Sequence, residues 1–296
     1  MLKNSIKSFF ILLAFFIYEI MPVTGQAISK HSMYENAKMM LSLSGYDTIS
    51  VAYKEFNEQF LNELHLPGSF SNKFDSLECV SFLYPPDSSF RIMSWQAPVA
   101  RDKYAYSCYI QTHDSLFVLK PSPSYFNHSS FNTLELRHQA WYGCLYYGIK
   151  SFVHDRQTKY VIFGYQQPEP FSARKIMDVL WFDNGVPVLG SLVFCNKKTK
   201  QCNTRMTLEY DSRATIRLNY DPEYGLIIFD HLIKGASPDM YGQTVNMTDG
   251  SYDAYKLKKN GTWEFVDMLW HDKQKEPPTD KPKKSQEQGK KDIFGR

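Results

Sequence analysis

No stretch of this 296-residue chain is both long and apolar enough to span a bilayer as a helix. The longest candidate, Phe9–Tyr18, falls well short of the roughly 20 residues that a spanning helix needs. Charge of one sign is also scarce. With 34 Lys and Arg against 31 Asp and Glu, the formal charge is +3, so the surface lacks the electrostatic footprint of a nucleic-acid binder. There is no glycine-rich loop to cradle a phosphate, and His128, His138 and Cys144 do not have metal-ligand spacing. Neither a metal nor a cofactor is therefore expected. A blade-length repeat is missing too. Beyond Asp75 no amphipathic helical stripe intervenes between the strand patterns.

Cysteine is rare, at five residues, and an odd number leaves at least one thiol unpaired. Cys195 and Cys202 bracket the polar tip Asn196–Gln201 between two strand patterns, which predicts a disulfide across that tip. Cys79, Cys108 and Cys144 lie in apolar runs and read as small core residues.

Aromatic side chains make up 16% of the chain and hydrophobic ones 43%, enough for a large core. Lys3 and Lys7, the short apolar run and Val23-Thr24-Gly25 have the pattern of a secretory signal ending before Gln26. Residues 1–25 are thus expected to be a signal peptide, and the protein to be exported, periplasmic or secreted. Residues 26–70 read as a helical segment. Ser32 and Glu35 fit a capping box, and Ile49, Ala52, Phe56, Phe60 and Leu64 form one apolar helical face that stops at Pro67-Gly68. From residue 71 to 270 the period changes to two. Short strands follow one another at turn-like intervals, which predicts a mainly β, antiparallel meander built as a sandwich or barrel, with a small propeller as the alternative. Residues 271–296 are Lys, Pro, Glu and Gln with almost nothing apolar, the composition of a disordered tail.

The clearest local signal is Arg174–Phe194. Asn184-Gly185 suits a type I′ turn, which fixes the pairing of the flanking runs: Asp183 with Val186, Phe182 with Pro187, Leu180 with Leu189, Asp178 with Ser191. Both faces of this hairpin are apolar, so it belongs inside the protein. Asp178, between Ile176 and Leu180, is the exception and needs a partner, because a bare buried carboxylate costs several kcal/mol. Ser191 and Arg174 are the local candidates. Pro187 leaves a missing N–H on its outer side, so the next strand must stop short or bulge there.

Several stretches taken together, Phe90–Pro98, Trp141–Tyr147, Arg174–Leu180 with Pro187–Gly190, Ile228–Leu232 and Gly250–Tyr255, resemble an uncharacterised family of exported Bacteroidetes proteins. The resemblance implies export and a shared β core, and it brings no known reaction and no catalytic residue. Residence in the periplasm fits better than secretion through the type IX route, whose C-terminal β-sandwich sorting domain would stand where the polar tail does.

Two site readings compete. Asp178 and Asp230, with Arg174 or Arg217 beside them and His231 adjacent, could form a paired-carboxylate hydrolase site acting on glycans. The plainer reading makes them buried ion pairs. Asp230 and His231 point to opposite faces of one strand, so that aspartate cannot orient that histidine. Trp141, Tyr142, Tyr146 and Tyr147 could form a stacking face for sugar or peptide, or be core. Asp249–Asp253 has oxygens at alternate positions as calcium loops do, but without the closing acidic ligand an Asx turn is the stronger reading. Ser191 lacks a strained elbow and a histidine contact and carries no nucleophile signature. The expected function is a non-enzymatic envelope component that binds a glycan or peptide or acts in assembly, and the rival is the hydrolase.

Overall fold

The computed structural model describes residues 31–137, 139–169, 171–236 and 244–270. The expected signal peptide, the polar tail and His138 lie outside the described residues. Among the described residues the chain forms two α-helices and sixteen strands in three open sheets.

Helix α1 (Met33–Met40) begins with the predicted capping box: Ser32 Oγ accepts from the Glu35 N–H, and Glu35 Oε2 accepts from the Ser32 N–H. Helix α2 (Tyr46–Leu64) starts from the N-cap Gly45 and buries the expected stripe from Ile49 to Leu64. That stripe packs on the outer face of a first sheet made by β1 (Ser81–Leu83), β2 (Phe90–Ala100), β3 (Lys103–Thr112), β4 (Leu116–Pro121) and β5 (Ala140–Trp141). Trp95 donates to Asn57 of α2 at 2.9 Å, and Phe56 and Phe60 meet the Trp95 ring edge-on. At the end of α2, the buried Arg91 donates to Gln111 and to the carbonyls of Ser69 and Asn72, and stacks on Phe70, Phe74 and Phe82. Hydrogen bonds and rings solvate this cation in place of a carboxylate.

The chain then enters a second sheet through β6 (Leu145–His154), β7 (Gln157–Glu169), β8 (Ser172–Asp183) and β9 (Val186–Leu189). It starts a third sheet with β10 (Phe194–Asn196) and β11 (Gln201–Asn203), and returns to the second with β12 (Met206–Asp211). The third sheet is completed by β13 (Leu218–Asp221), β14 (Leu226–Ala236), β15 (Thr244–Leu257) and β16 (Trp263–Trp270). Ile92, Cys108 and Ile110 of the first sheet meet Ile162, Ile176 and Leu180 of the second in one core. On the other side Val161, Met177 and Val179 meet Ile227, Phe229 and Trp263 of the third. The second sheet is therefore covered on both faces, and its strands read as near-continuous apolar runs for that reason.

The architecture is a stack of one helical layer and three sheets. The antiparallel sandwich reading holds, with two parallel pairs, β4 with β5 and β10 with β16. The sheets are open, so a closed barrel is not formed, and they stack face to face where propeller blades would be radial. Two strands run through prolines. Strand β2 continues through Ala97-Pro98, beyond the short β1, which pairs only with Ile92–Ser94. Strand β7 continues through Pro168 to Glu169, with a register shift after Gln166. Cys195 and Cys202 face each other across β10–β11 and form the predicted disulfide, while Cys79, Cys108 and Cys144 are free and buried.

Candidate functional site: a two-lobed groove around Arg174

The hairpin positions the site. Asn184 and Gly185 both have positive φ, at 50° and 81°, and β8 pairs with β9 in the predicted register, Asp183 with Val186 through Leu180 with Leu189. Beyond Pro187 the outer edge of β9 is open except for one bridge from Leu189 to Leu136. Gly190, at φ 104°, then turns the chain out of the sheet, so Ser191 never comes to face Asp178. Asp178 is fully buried between Ile176 and Leu180, as expected, but neither local candidate partners it. Arg205, one step beyond the Met206–Met177 pair of β12 and β8, donates Nε to Asp178 at 2.9 Å, and the Val179 N–H supplies a second bond at 2.7 Å. Arg205 also donates to the carbonyls of Phe131 and Leu189 and lies over the Phe131 ring. Burial works against its charge, but Asp178 and nearby phenols outweigh that and hold the guanidinium above its ordinary pKa.

Asp230 is on β14 in the third sheet, where it accepts from the Arg217 backbone N–H. Asp178 points the other way, into the core shared with the first sheet. The structure does not bring the two carboxylates into one pocket. The Arg217 guanidinium pairs with Asp221 at 2.7 Å, not with Asp230. His231 is held by Asp253 at 2.8 Å, and that bond, against some burial, raises its pKa. Because the folded value lies above the ordinary 6.5, the stabilisation is complete below pH 6.5 and fades as pH climbs through the raised value. Urea midpoints for His231→Gln and the unsubstituted chain should differ at pH 5.5 and converge at alkaline pH. Asp249, expected as an Asx turn, accepts from the Ser251 N–H and hydroxyl. No group of three metal-ligating side chains occurs among the described residues.

The aromatic quartet is split by its own backbone. Gly143, at φ 81°, kinks the chain between β5 and β6, so the segment is not one strand. Trp141, Tyr142 and Tyr146 turn inward and are buried, with Trp141 Nε1 donating to the Tyr146 hydroxyl at 2.9 Å. Only Tyr147 stays at the surface, its hydroxyl bonded to the Leu218 carbonyl, and no coplanar exposed platform exists among these four.

Arg174 is the predicted residue that the fold places at an opening. Its guanidinium lies 4.6 Å from the centre of the Phe126 ring, with Nε donating to Glu209 at 3.0 Å and Nη1 reaching Gln166 at 3.5 Å. It stands between two cavities. One, of about 290 Å³, is lined by Tyr104, Tyr106, Phe126, Tyr142, Gln166 and Gln167 among others. The second, of about 230 Å³, adds His128, Asn132, Thr207 and Glu209 and shares Phe126 and Arg174 with the first. Burial pushes the Tyr106 and Tyr142 phenols up, so both remain neutral hydroxyls. The Thr207 hydroxyl is buried here with no hydrogen-bond partner among the described residues. Rings for stacking, amides and hydroxyls for hydrogen bonding, and one arginine–carboxylate pair converge on a concave surface. The chain matches no family model, no curated protein and no solved structure.

Phe126, Tyr104 and Gln166 carried no signal in the sequence. Phe126 sits in the short 3-10 turn Pro123–Asn127 after β4, and Gln166 lies where the β7–β8 register shifts. A lone ring in a loop shows its role only once the neighbouring sheets are in place.

Proposed function

We propose that the protein is an exported binding component of the cell envelope whose groove around Arg174 holds a neutral oligosaccharide without cleaving it. The observation that carries this reading is the division of the groove by the Arg174–Phe126 stack into two lobes of about 290 and 230 Å³. Each is of the order of a small ring system, and together they are faced by aromatic rings and amide groups, the lining that sugar faces and hydroxyls require. Glu209, the carboxylate beside Arg174, is engaged by Arg174 and by the Ser172 hydroxyl, which suits holding a ligand rather than cleaving it. Export is supported by the leader-like N-terminus and by the Cys195–Cys202 disulfide, a bond that persists in oxidising compartments. The resemblance to exported Bacteroidetes proteins agrees with export and is silent on the ligand.

Titration calorimetry with soluble di- to hexasaccharides of hexose and N-acetylhexosamine tests the reading. Binding of at least one series is expected, improving from one to two or three sugar units as both lobes fill. Arg174→Ala and Phe126→Ala should each weaken it at least tenfold without altering the thermal midpoint by more than a few degrees. Absence of binding across the panel, or variants that bind like the unsubstituted chain, would remove the proposal.

A further inference from the structure

On the opposite face of the second sheet, away from the groove, lies a chemistry that the groove does not use. Lys159 of β7 and Ser191, in the link from β9 to β10, are 7% and 5% exposed, and Lys159 Nζ sits 2.9 Å from Ser191 Oγ. The groups around Nζ are few. The Trp181 ring, opposite Lys159 in the β7–β8 pairing, lies 4.8 Å away, and Arg137 stacks on the same ring. Asp155, in the turn before β7, and Glu135 act on Lys159 through space, while no carboxylate forms an ion pair with it among the described residues. Gly190 just before Ser191 has φ 104°, and a side chain there would meet the Arg205 guanidinium and the Leu134 carbonyl at under 3 Å. That glycine supplies the sharp turn at the serine that was not legible in the sequence. After it, neither the Ser191 nor the Leu192 N–H donates to another backbone carbonyl among the described residues.

We infer that Lys159 and Ser191 form a serine–lysine dyad that accepts a small acyl group from an ester. As an ammonium, Nζ donates to Oγ; as a free amine it accepts the Oγ proton across the same contact. Oγ then bonds to the acyl carbon, and the carbonyl oxygen takes up the negative charge as the tetrahedral intermediate forms. Collapse breaks the bond to the leaving alcohol, which takes the proton from Lys159. Water repeats the sequence on the acyl-serine, releasing the carboxylic acid and restoring the hydroxyl. So little of the pair is exposed that the acyl group must be of acetyl size. Desolvation lowers the Lys159 pKa below the 10.5 of a free lysine, more than Asp155 and Glu135 raise it, so the rate should climb with pH and level off before that value.

The probes are p-nitrophenyl acetate hydrolysis from pH 6 to 10.5 and labelling with methanesulfonyl fluoride, whose transferred group is close to acetyl in size, with the modified residue located by mass spectrometry. A single adduct on Ser191 is expected. Hydrolysis should exceed that of Ser191→Ala at least tenfold, and Lys159→Met should abolish the rise with pH. An adduct elsewhere or none at all, or a Ser191→Ala rate equal to that of the unsubstituted chain, would overturn the dyad. Because the labelling uses the unsubstituted protein, it decides the matter even if either variant fails to fold. The outcome is independent of oligosaccharide binding at Arg174.

Discussion

Arg205→Met is expected to cost about 3–5 kcal/mol, the loss that follows when one member of a buried ion pair is removed and the other stays behind. Asp178 and Arg205 are both fully buried, and the Val179 N–H alone cannot replace a guanidinium. The substitution also strips donors from the Phe131 and Leu189 carbonyls, so the segment that closes over the second sheet loses its anchor. Removing both charges in Asp178→Asn with Arg205→Met should cost clearly less than the two single changes added together, with a coupling of at least about 1 kcal/mol. Urea unfolding of the four proteins checks this. If Arg205→Met stayed within about 1 kcal/mol of the unsubstituted chain, the pair would not hold the core in the way described.

Gly261→Ala should be comparably damaging for a different reason. Gly261 has φ 82°, where an L-residue is strained by roughly 1–3 kcal/mol. In addition, a Cβ at this position would run into the Val153 carbonyl oxygen and lie 2.8 Å from the His154 Cα. Those are backbone atoms at the end of β6, which cannot swing aside as a side chain can, so a further cost of roughly 1–3 kcal/mol is added. Gly185→Ala is the control. Its φ is 81°, almost the same, but nothing lies within 4 Å of the added carbon, so only the conformational part, about 1 kcal/mol, should appear. The difference between the two variants isolates the contact between the β15–β16 turn and the second sheet. Equal losses would mean that this contact yields freely.

What could be read from residues alone follows the range of the interactions. The hairpin around Asn184-Gly185, the capping box at Ser32 and the Cys195–Cys202 bridge depend on neighbours in sequence, and each came out as expected. The burial of Asp178 could be read from alternation, but its partner could not. Arg205 lies 27 residues away, immediately before a strand whose pairing with β8 no local signal announces. Trp141–Gly148 stayed ambiguous between core and a stacking face because an aromatic run looks the same whether or not a glycine such as Gly143 folds it back. The groove depended most on long-range pairing. It is assembled from β3, β7, β8, β12 and an irregular stretch, and Arg174 entered the reading only as a supposed neighbour of Asp178.

The second sheet serves as a party wall: both interiors lean on the same three strands, β6, β7 and β8. Cutting the chain on either side would leave a bare oily surface on what remained, so neither half is equipped to live as a separate piece. Damage to one compartment is therefore felt in the other through the shared partition.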